Sequence, residues 1–141
     1  LIGGLVGRNQ EGIIKNSAAE ARISGQEQLG GLIGLNKGQL GQSYAAGKIE
    51  GAKILGGLVG DNEGIIRESY SRADLIGGKY VGGIAGYNRN LIENSYSLSV
   101  LKTTIFLLIS LKSLLIKIEK ELISKPEIST SEKPSKLFFT V

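Results

Sequence analysis

Short apolar stretches alternate with glycine and polar turns along the first hundred residues, and this alternation repeats at a fixed interval. Each repeat contains two or three such stretches, and none reaches the roughly ten to twelve residues that a helix normally needs. Closely spaced glycines disfavour helix further. Short strands separated by turns at a constant period predict the coils of a parallel β-solenoid.

Four copies of one unit define the period. The segment LGGLIGLNKG begins at Leu29, LGGLVGDNEG at Leu55 and VGGIAGYNRN at Val81, and the earlier IGGLVGRNQEG begins at Ile2 with one extra residue in its turn. A serine follows in each copy at intervals of 26 residues, at Ser17, Ser43, Ser69 and Ser95. We therefore predict an all-β solenoid of about four 26-residue coils over residues 1–100.

Equivalent positions of successive copies form columns when coils stack about 4.8 Å apart. Four columns are purely aliphatic, and we predict that they fill the interior, where hydrophobic burial stabilises the fold. These columns are Ile14, Leu40, Ile66 and Ile92; Leu32, Leu58 and Ile84; Leu29, Leu55 and Val81; and Ile23, Ile49 and Leu75. The column Lys15, Gly41, Arg67 and Glu93 changes character at every step, which indicates a solvent-facing position.

One turn carries an asparagine in every copy, at Asn9, Asn36, Asn62 and Asn88. Stacked amides can hydrogen-bond from coil to coil, and asparagine tolerates the left-handed backbone of a tight corner. The pattern therefore predicts a structural asparagine ladder. The glycine pairs are expected to supply either positive φ angles or room for close packing at another corner.

The glycine pair, the turn asparagine and the Ser-Tyr pair together give GGLVGxNxGxIxxSY, which resembles the GLUG repeat over residues 2 to about 100. The first copy departs from it at Ala18, where tyrosine is expected, and the fourth departs at Asn90, where glycine is expected. Such repeats occur in non-catalytic parts of streptococcal-type IgA1-specific zinc metallopeptidases and in bacterial adhesins. The resemblance implies an extracellular or cell-surface location, with neighbouring repeats or domains of a larger parent chain as partners.

The amino-acid composition excludes most kinds of catalytic site. The chain has no cysteine, histidine or tryptophan, so disulfides, histidine-based triads and the HExxH zinc motif are excluded. Polysaccharide-cleaving β-helices need clustered carboxylates, whereas the acidic residues here lie in different columns. Asp61 shares its column with Leu35 and Tyr87, while calcium requires about six to eight oxygens. We predict no catalytic residue, no cofactor and no metal site.

Charge adds little to this picture. Residues 1–100 carry ten basic and nine acidic groups, and residues 101–141 carry seven lysines and four glutamates. This dispersed excess does not resemble a nucleic-acid-binding face, so no nucleic-acid partner is expected. The chain also lacks methionine, which leads us to expect a segment of a longer protein.

A tyrosine follows the repeated serine in three copies, at Tyr44, Tyr70 and Tyr96. Stacked aromatic rings can bind sugar rings or protein partners, and they can equally serve only as packing at a coil corner. The three residues are therefore a candidate interaction ladder, through which an adhesin would bind a host glycan or glycoprotein.

The last glycine is Gly86, and after Val100 the repeat ends and the pattern changes to helical spacing. Residues 101–123 predict an amphipathic helix that ends before Pro126, and residues 124–141 predict a linker and disordered tail. The charge-free run from Thr103 to Leu111 is too short to span a bilayer. The helix is interpreted either as a cap on the solenoid or as an out-of-frame product of an AT-rich gene.

Overall fold

The computed structural model describes residues 1–124, which contain seventeen strands and one helix. The described residues fall into two units, Leu1–Ile105 and a second one that begins at Phe106. The first unit is a parallel β-solenoid of about four coils, as the periodicity predicted.

Each coil contributes strands to four parallel sheets, A to D, in which strands of successive coils are neighbours. Sheet A contains β1 (Ile2–Gly3), β5 (Leu29–Gly30), β9 (Ile54–Gly56) and β13 (Tyr80–Gly82). Sheet B contains β2 (Val6–Asn9), β6 (Ile33–Asn36), β10 (Val59–Asn62) and β14 (Ala85–Asn88). Sheet C contains β3 (Ile13–Lys15), β7 (Gln39–Gly41), β11 (Ile65–Arg67) and β15 (Leu91–Glu93). Sheet D contains β4 (Ala18–Gly25), β8 (Tyr44–Gly51), β12 (Tyr70–Gly77), β16 (Tyr96–Ser97) and β17 (Leu101–Thr103).

The strand register follows the repeat and locates the extra residue of the first coil. Asn9 pairs with Asn36, 27 positions later, whereas Ile13 pairs with Gln39, 26 positions later. The insertion is therefore absorbed in the turn between β2 and β3, and every later pairing keeps the 26-residue interval.

All four predicted aliphatic columns point into the solenoid, where they form two clusters. One cluster contains Leu32, Ile33, Leu40, Ala45, Leu58, Val59 and Ile66. The other contains Ile23, Leu29, Ile49, Leu55, Ala73 and Leu75. Ile14, Ile84, Ile92 and Val81, which belong to the outer coils, are only partly buried. The side chain of a column is thus fully enclosed only where a coil lies on each side of it.

The glycine signature brings sheets A and B into backbone contact. A Cβ atom at Gly30 would collide with the carbonyl oxygen of Ile33 and the amide nitrogen of Gly60, and one at Gly60 would lie 2.9 Å from the amide nitrogen of Leu29. Only glycine permits this approach. Of the two roles expected for the glycine pairs, close packing is the one observed.

Left-handed backbone occurs at a corner that the sequence did not indicate. The asparagine ladder was expected to supply it, but that expectation is wrong. Positive φ angles of 49° to 51° occur instead at the residue before each repeated serine, namely Asn16, Gln42, Glu68 and Asn94. Among the described glycines, Gly47 alone has a positive φ, at 110°.

The fourth coil continues to Thr103, because β17 pairs with β12 at the same 26-residue interval, with Leu101 beside Leu75. The second unit contains most of α1 (Thr104–Ser124), close to the helix predicted from the sequence, and its side chains from 108 onward are exposed. No helix among residues 1–124 combines the length and the apolar character needed to cross a bilayer. The predicted linker and tail lie outside the described residues, apart from Ser124, which ends the helix.

Candidate interaction surface

The asparagine ladder forms as predicted. Each side-chain amide nitrogen donates to the side-chain oxygen of the asparagine one coil onward, at 2.9 Å from Asn9 to Asn36, 2.9 Å from Asn36 to Asn62 and 2.8 Å from Asn62 to Asn88. The same nitrogen also donates to a turn carbonyl of its own coil, as Asn36 does to Gly38 at 3.2 Å. Asn36 and Asn62 are completely buried, so these bonds satisfy polar groups that would otherwise lack water.

A second ladder runs through the repeated serines. The backbone amide of Ser17 donates to the Ser43 hydroxyl at 3.1 Å, Ser43 to Ser69 at 3.2 Å, and Ser69 to Ser95 at 3.1 Å. Each hydroxyl in turn donates to the carbonyl two residues before it, for example Ser43 to Gly41 at 2.7 Å. The 26-residue spacing revealed this column, but spacing alone does not reveal which groups donate.

The three ladder tyrosines stack face to face along sheet D. The ring centroids of Tyr44 and Tyr70 are 5.1 Å apart with planes 8° from parallel, and those of Tyr70 and Tyr96 are 5.2 Å apart at 6°. Tyr44 is 41 % and Tyr96 54 % exposed. The structure therefore brings the predicted interaction residues into one continuous aromatic stack at the solenoid surface.

Two neighbouring positions complete this surface. Ala18 is the register partner of Tyr44, so the first coil places a methyl group where the next three coils place a ring. The guanidinium carbon of Arg72 lies 5.7 Å from the Tyr70 ring centroid. Glu20 occupies the same column as Arg72, two coils earlier, and is exposed. We refer to Ala18, Glu20 and the three tyrosines as the tyrosine face.

Charged pairs connect coils on the outer columns. Glu63 lies between Lys37, at 3.0 Å, and Arg89, at 3.1 Å, which belong to the coils on either side of it. The hydrogen bond from Lys37, with help from the charges of Lys37 and Arg89, lowers the pKa of Glu63 despite an opposing desolvation effect. The hydrogen bond and charge of Lys53 likewise lower the pKa of Glu27.

The carboxylate of Asp61 is buried, which its column of Leu35, Asp61 and Tyr87 did not predict. Asp61 is 1 % exposed, and its Oδ2 atom accepts from Gln28 at 3.1 Å and from Arg89 at 3.2 Å. Its Oδ1 atom is buried without a hydrogen-bond partner. Among the described residues no group of three or more potential metal ligands comes together. The sequence pattern did not predict the contacts of Asp61 with Gln28 and Arg89, because these two residues lie in different columns from Asp61.

A family model described as the GLUG motif matches residues 1–24. No curated protein and no solved structure matches the chain. The matched segment is the first coil, the copy with the turn insertion and the alanine in place of tyrosine. The chain thus carries a GLUG motif in its first coil, and the three following coils repeat its glycine pair, turn asparagine and serine.

Proposed function

We propose that this chain is a non-catalytic repeat region that acts as a spacer in a secreted or surface-attached bacterial protein, specifically an IgA1-protease-like zinc metallopeptidase. The observation that carries the proposal is the pair of uninterrupted asparagine and serine ladders across all four coils. The GLUG motif supports a repeat region of a larger protein.

The ladders suit a spacer because they make every coil contact only its neighbours through the same bonds. Adding a coil then adds a fixed length of about 4.8 Å without changing the cross-section. A solenoid whose interior combines hydrogen-bonded buried amides with aliphatic packing also resists bending more than a flexible linker does. Such a region would hold other domains at a set distance.

Deleting or duplicating one period tests the spacer role. Removal of residues 26–51 joins Gly25 to Ala52 and so restores the Gly-Ala junction that Gly51 and Ala52 form. We expect the shortened and lengthened chains to fold cooperatively, with small-angle scattering showing length changes of about 4.8 Å per coil. The scrambled form of the same 26 residues, inserted at the same junction, is the control. Loss of folding in the deletion variant would contradict interchangeable coils.

The coding DNA tests the identity of the parent. Reading all three frames beyond the codon for Val100 asks whether the repeat resumes in another frame and whether an HExxH-coding stretch follows. Finding both supports a metallopeptidase parent and an out-of-frame tail. An open frame without this motif removes support for the metallopeptidase and leaves the helix as an evolved cap.

The second candidate function is an adhesin module, which the exposed aromatic stack favours. Replacing Tyr44, Tyr70 and Tyr96 together with leucine keeps apolar volume but removes the rings. If the tyrosine face binds, this variant loses binding on a mammalian glycan array while circular dichroism still shows β-structure. Unfolding of the variant instead indicates that the rings serve packing alone.

A further inference from the structure

The first coil interrupts the aromatic stack in a way that leaves one ring face uncovered. Tyr70 has a ring on each side, at 5.1 Å and 5.2 Å, so neither of its faces is open to a ligand. Tyr44 and Tyr96, at the two ends of the stack, each have a ring on one side only, and on its other side Tyr44 has Ala18 as its register partner. The methyl group of Ala18 leaves the position of a fourth ring vacant above Tyr44.

The spacing of the stack gives the size of this vacancy. Successive rings lie 5.1 to 5.2 Å apart and nearly parallel, because the strands that carry them are in register. One further step along the same direction reaches the space above Ala18. A planar or nearly planar group placed there would contact the Tyr44 ring on one face and the Ala18 methyl group beneath it.

The surroundings favour a sugar over another aromatic group. Glu20 lies two residues beyond Ala18 on the same strand, so its side chain points to the same side of sheet D. Arg72, in the same column, has its guanidinium carbon 5.7 Å from the Tyr70 ring centroid, so this column lies alongside the stack. The exposed carboxylate of Glu20 can accept hydrogen bonds from two adjacent hydroxyls.

We propose that the vacancy over Ala18, beside the free face of Tyr44, binds a single neutral pyranose ring, which stacks its C–H face on Tyr44 and donates hydroxyl hydrogen bonds to Glu20. This inference rests on the second proposed function, that of an adhesin, and names its ligand class and binding position. The apolar face of the sugar takes the place of the missing ring, and its hydroxyls meet the only acidic group on this part of the strand. On this proposal, Ala18 provides the space for the sugar, and the stacked rings of Tyr70 and Tyr96 hold Tyr44 in place beneath it.

Nuclear magnetic resonance of the full chain tests the proposal with methyl β-galactopyranoside, methyl β-glucopyranoside and methyl α-mannopyranoside as probes at millimolar concentrations. We expect at least one glycoside to shift the Ala18 methyl and Tyr44 ring signals. The variant A18Y supplies the fourth ring itself, so it should melt at a higher temperature than the wild type and bind the same glycoside at least about tenfold more weakly.

Three further variants keep the test decisive. A52Y adds the same side chain at an exposed corner outside the ladder, and it should bind like the wild type. Y44F retains the ring face and should bind, whereas Y44L should not; this pair decides the question if A18Y does not fold.

The inference is overturned if no glycoside shifts these signals, or if A18Y folds and binds as well as the wild type. Neither result decides the adhesin proposal itself, which is tested separately by the binding of the triple leucine variant on the glycan array. If that variant loses array binding while A18Y retains it, the tyrosine face binds elsewhere along the stack.

Discussion

The two inner coils and the two outer coils follow one sequence pattern, yet they differ in how completely they are buried. Leu58 and Ile66 in the third coil are 0 % exposed. Leu5, which occupies the Leu58 column in the first coil, is 47 % exposed, and Ile14, in the Ile66 column, is only partly buried. The stabilisation from a column residue therefore depends on whether coils lie on both sides of it, as expected for a one-dimensional array.

The largest difference in stability is expected between variants of Leu58 and Leu5, which occupy the same column. Replacing Leu58 with alanine should lower the free energy of unfolding by about 4 kcal/mol, because it removes apolar contacts and leaves a cavity between two coils. Replacing Leu5 with alanine should cost less than about 1 kcal/mol, since half of that side chain is already in water. Urea denaturation of the two variants measures both values. Equal losses would show that burial within the stack does not set the contribution.

Gly60 and Gly7 occupy equivalent positions in an inner and an outer coil. Replacing each with alanine should show the same difference in stability between inner and outer coils, with a somewhat smaller effect. A methyl group at Gly60 would lie 2.6 Å from the carbonyl oxygen of Gly34, so Gly60→Ala must displace backbone and should cost about 3 kcal/mol. At Gly7 the nearest atom is the carbonyl oxygen of Leu1 at 3.8 Å. Gly7→Ala should therefore change stability by less than about 1 kcal/mol, in either direction. Thermal melting of the matched pair checks this, and a Gly7→Ala variant that loses as much stability as Gly60→Ala would count against it.

Within the asparagine ladder, an inner member should matter more than the last one. Asn62→Ala removes bonds to Asn88 and Gly64 and leaves the buried side-chain amide nitrogen of Asn36 with only one of its two acceptors, the carbonyl of Gly38. We expect a loss of about 2 kcal/mol. Asn88→Ala also removes an acceptor of the Asn62 amide, but Asn88 is exposed at the end of the ladder, where water can take its place, so this variant should lose less than about 1 kcal/mol. Chemical denaturation compares the two variants, and similar losses would argue against a ladder stabilised by burial.

The smallest effect concerns pH. Because the lowered pKa of Glu63 belongs to the folded state, its ion pairs stabilise the fold above the ordinary glutamate pKa and lose this effect as the pH falls through the lowered value. Glu63→Gln should flatten the acid limb of a plot of melting temperature against pH. Glu11→Gln, in the first-coil turn, is the control and should leave that limb unchanged. An unaltered acid limb in Glu63→Gln would show that the two flanking cations do not stabilise this coil.

Sequence periodicity predicted the solenoid, its aliphatic columns and its asparagine ladder because those positions keep one residue type through all coils. The left-handed corner could not be predicted in this way. The repeat places its members, Asn16, Gln42, Glu68 and Asn94, in one column, but they do not share one residue type, so nothing in the sequence marks that column as left-handed.

The tyrosine face was only half predictable. The spacing of Tyr44, Tyr70 and Tyr96 indicated a stack, and the structure gives its geometry. The open ring face became visible only when the register placed Ala18 beside Tyr44. The Asp61 cluster could not be predicted at all, because its contacts with Gln28 and Arg89 join side chains of different columns.

The extra residue of the first coil lengthens one turn of the chain without changing the core. Asn9 reaches across the longer turn to the carbonyl of Gly12, whereas Asn36 bonds to the carbonyl of Gly38. Both asparagines nevertheless remain in one ladder. This turn can therefore gain residues while the interior stays the same, which lets the exposed corner diversify between copies at little cost in stability.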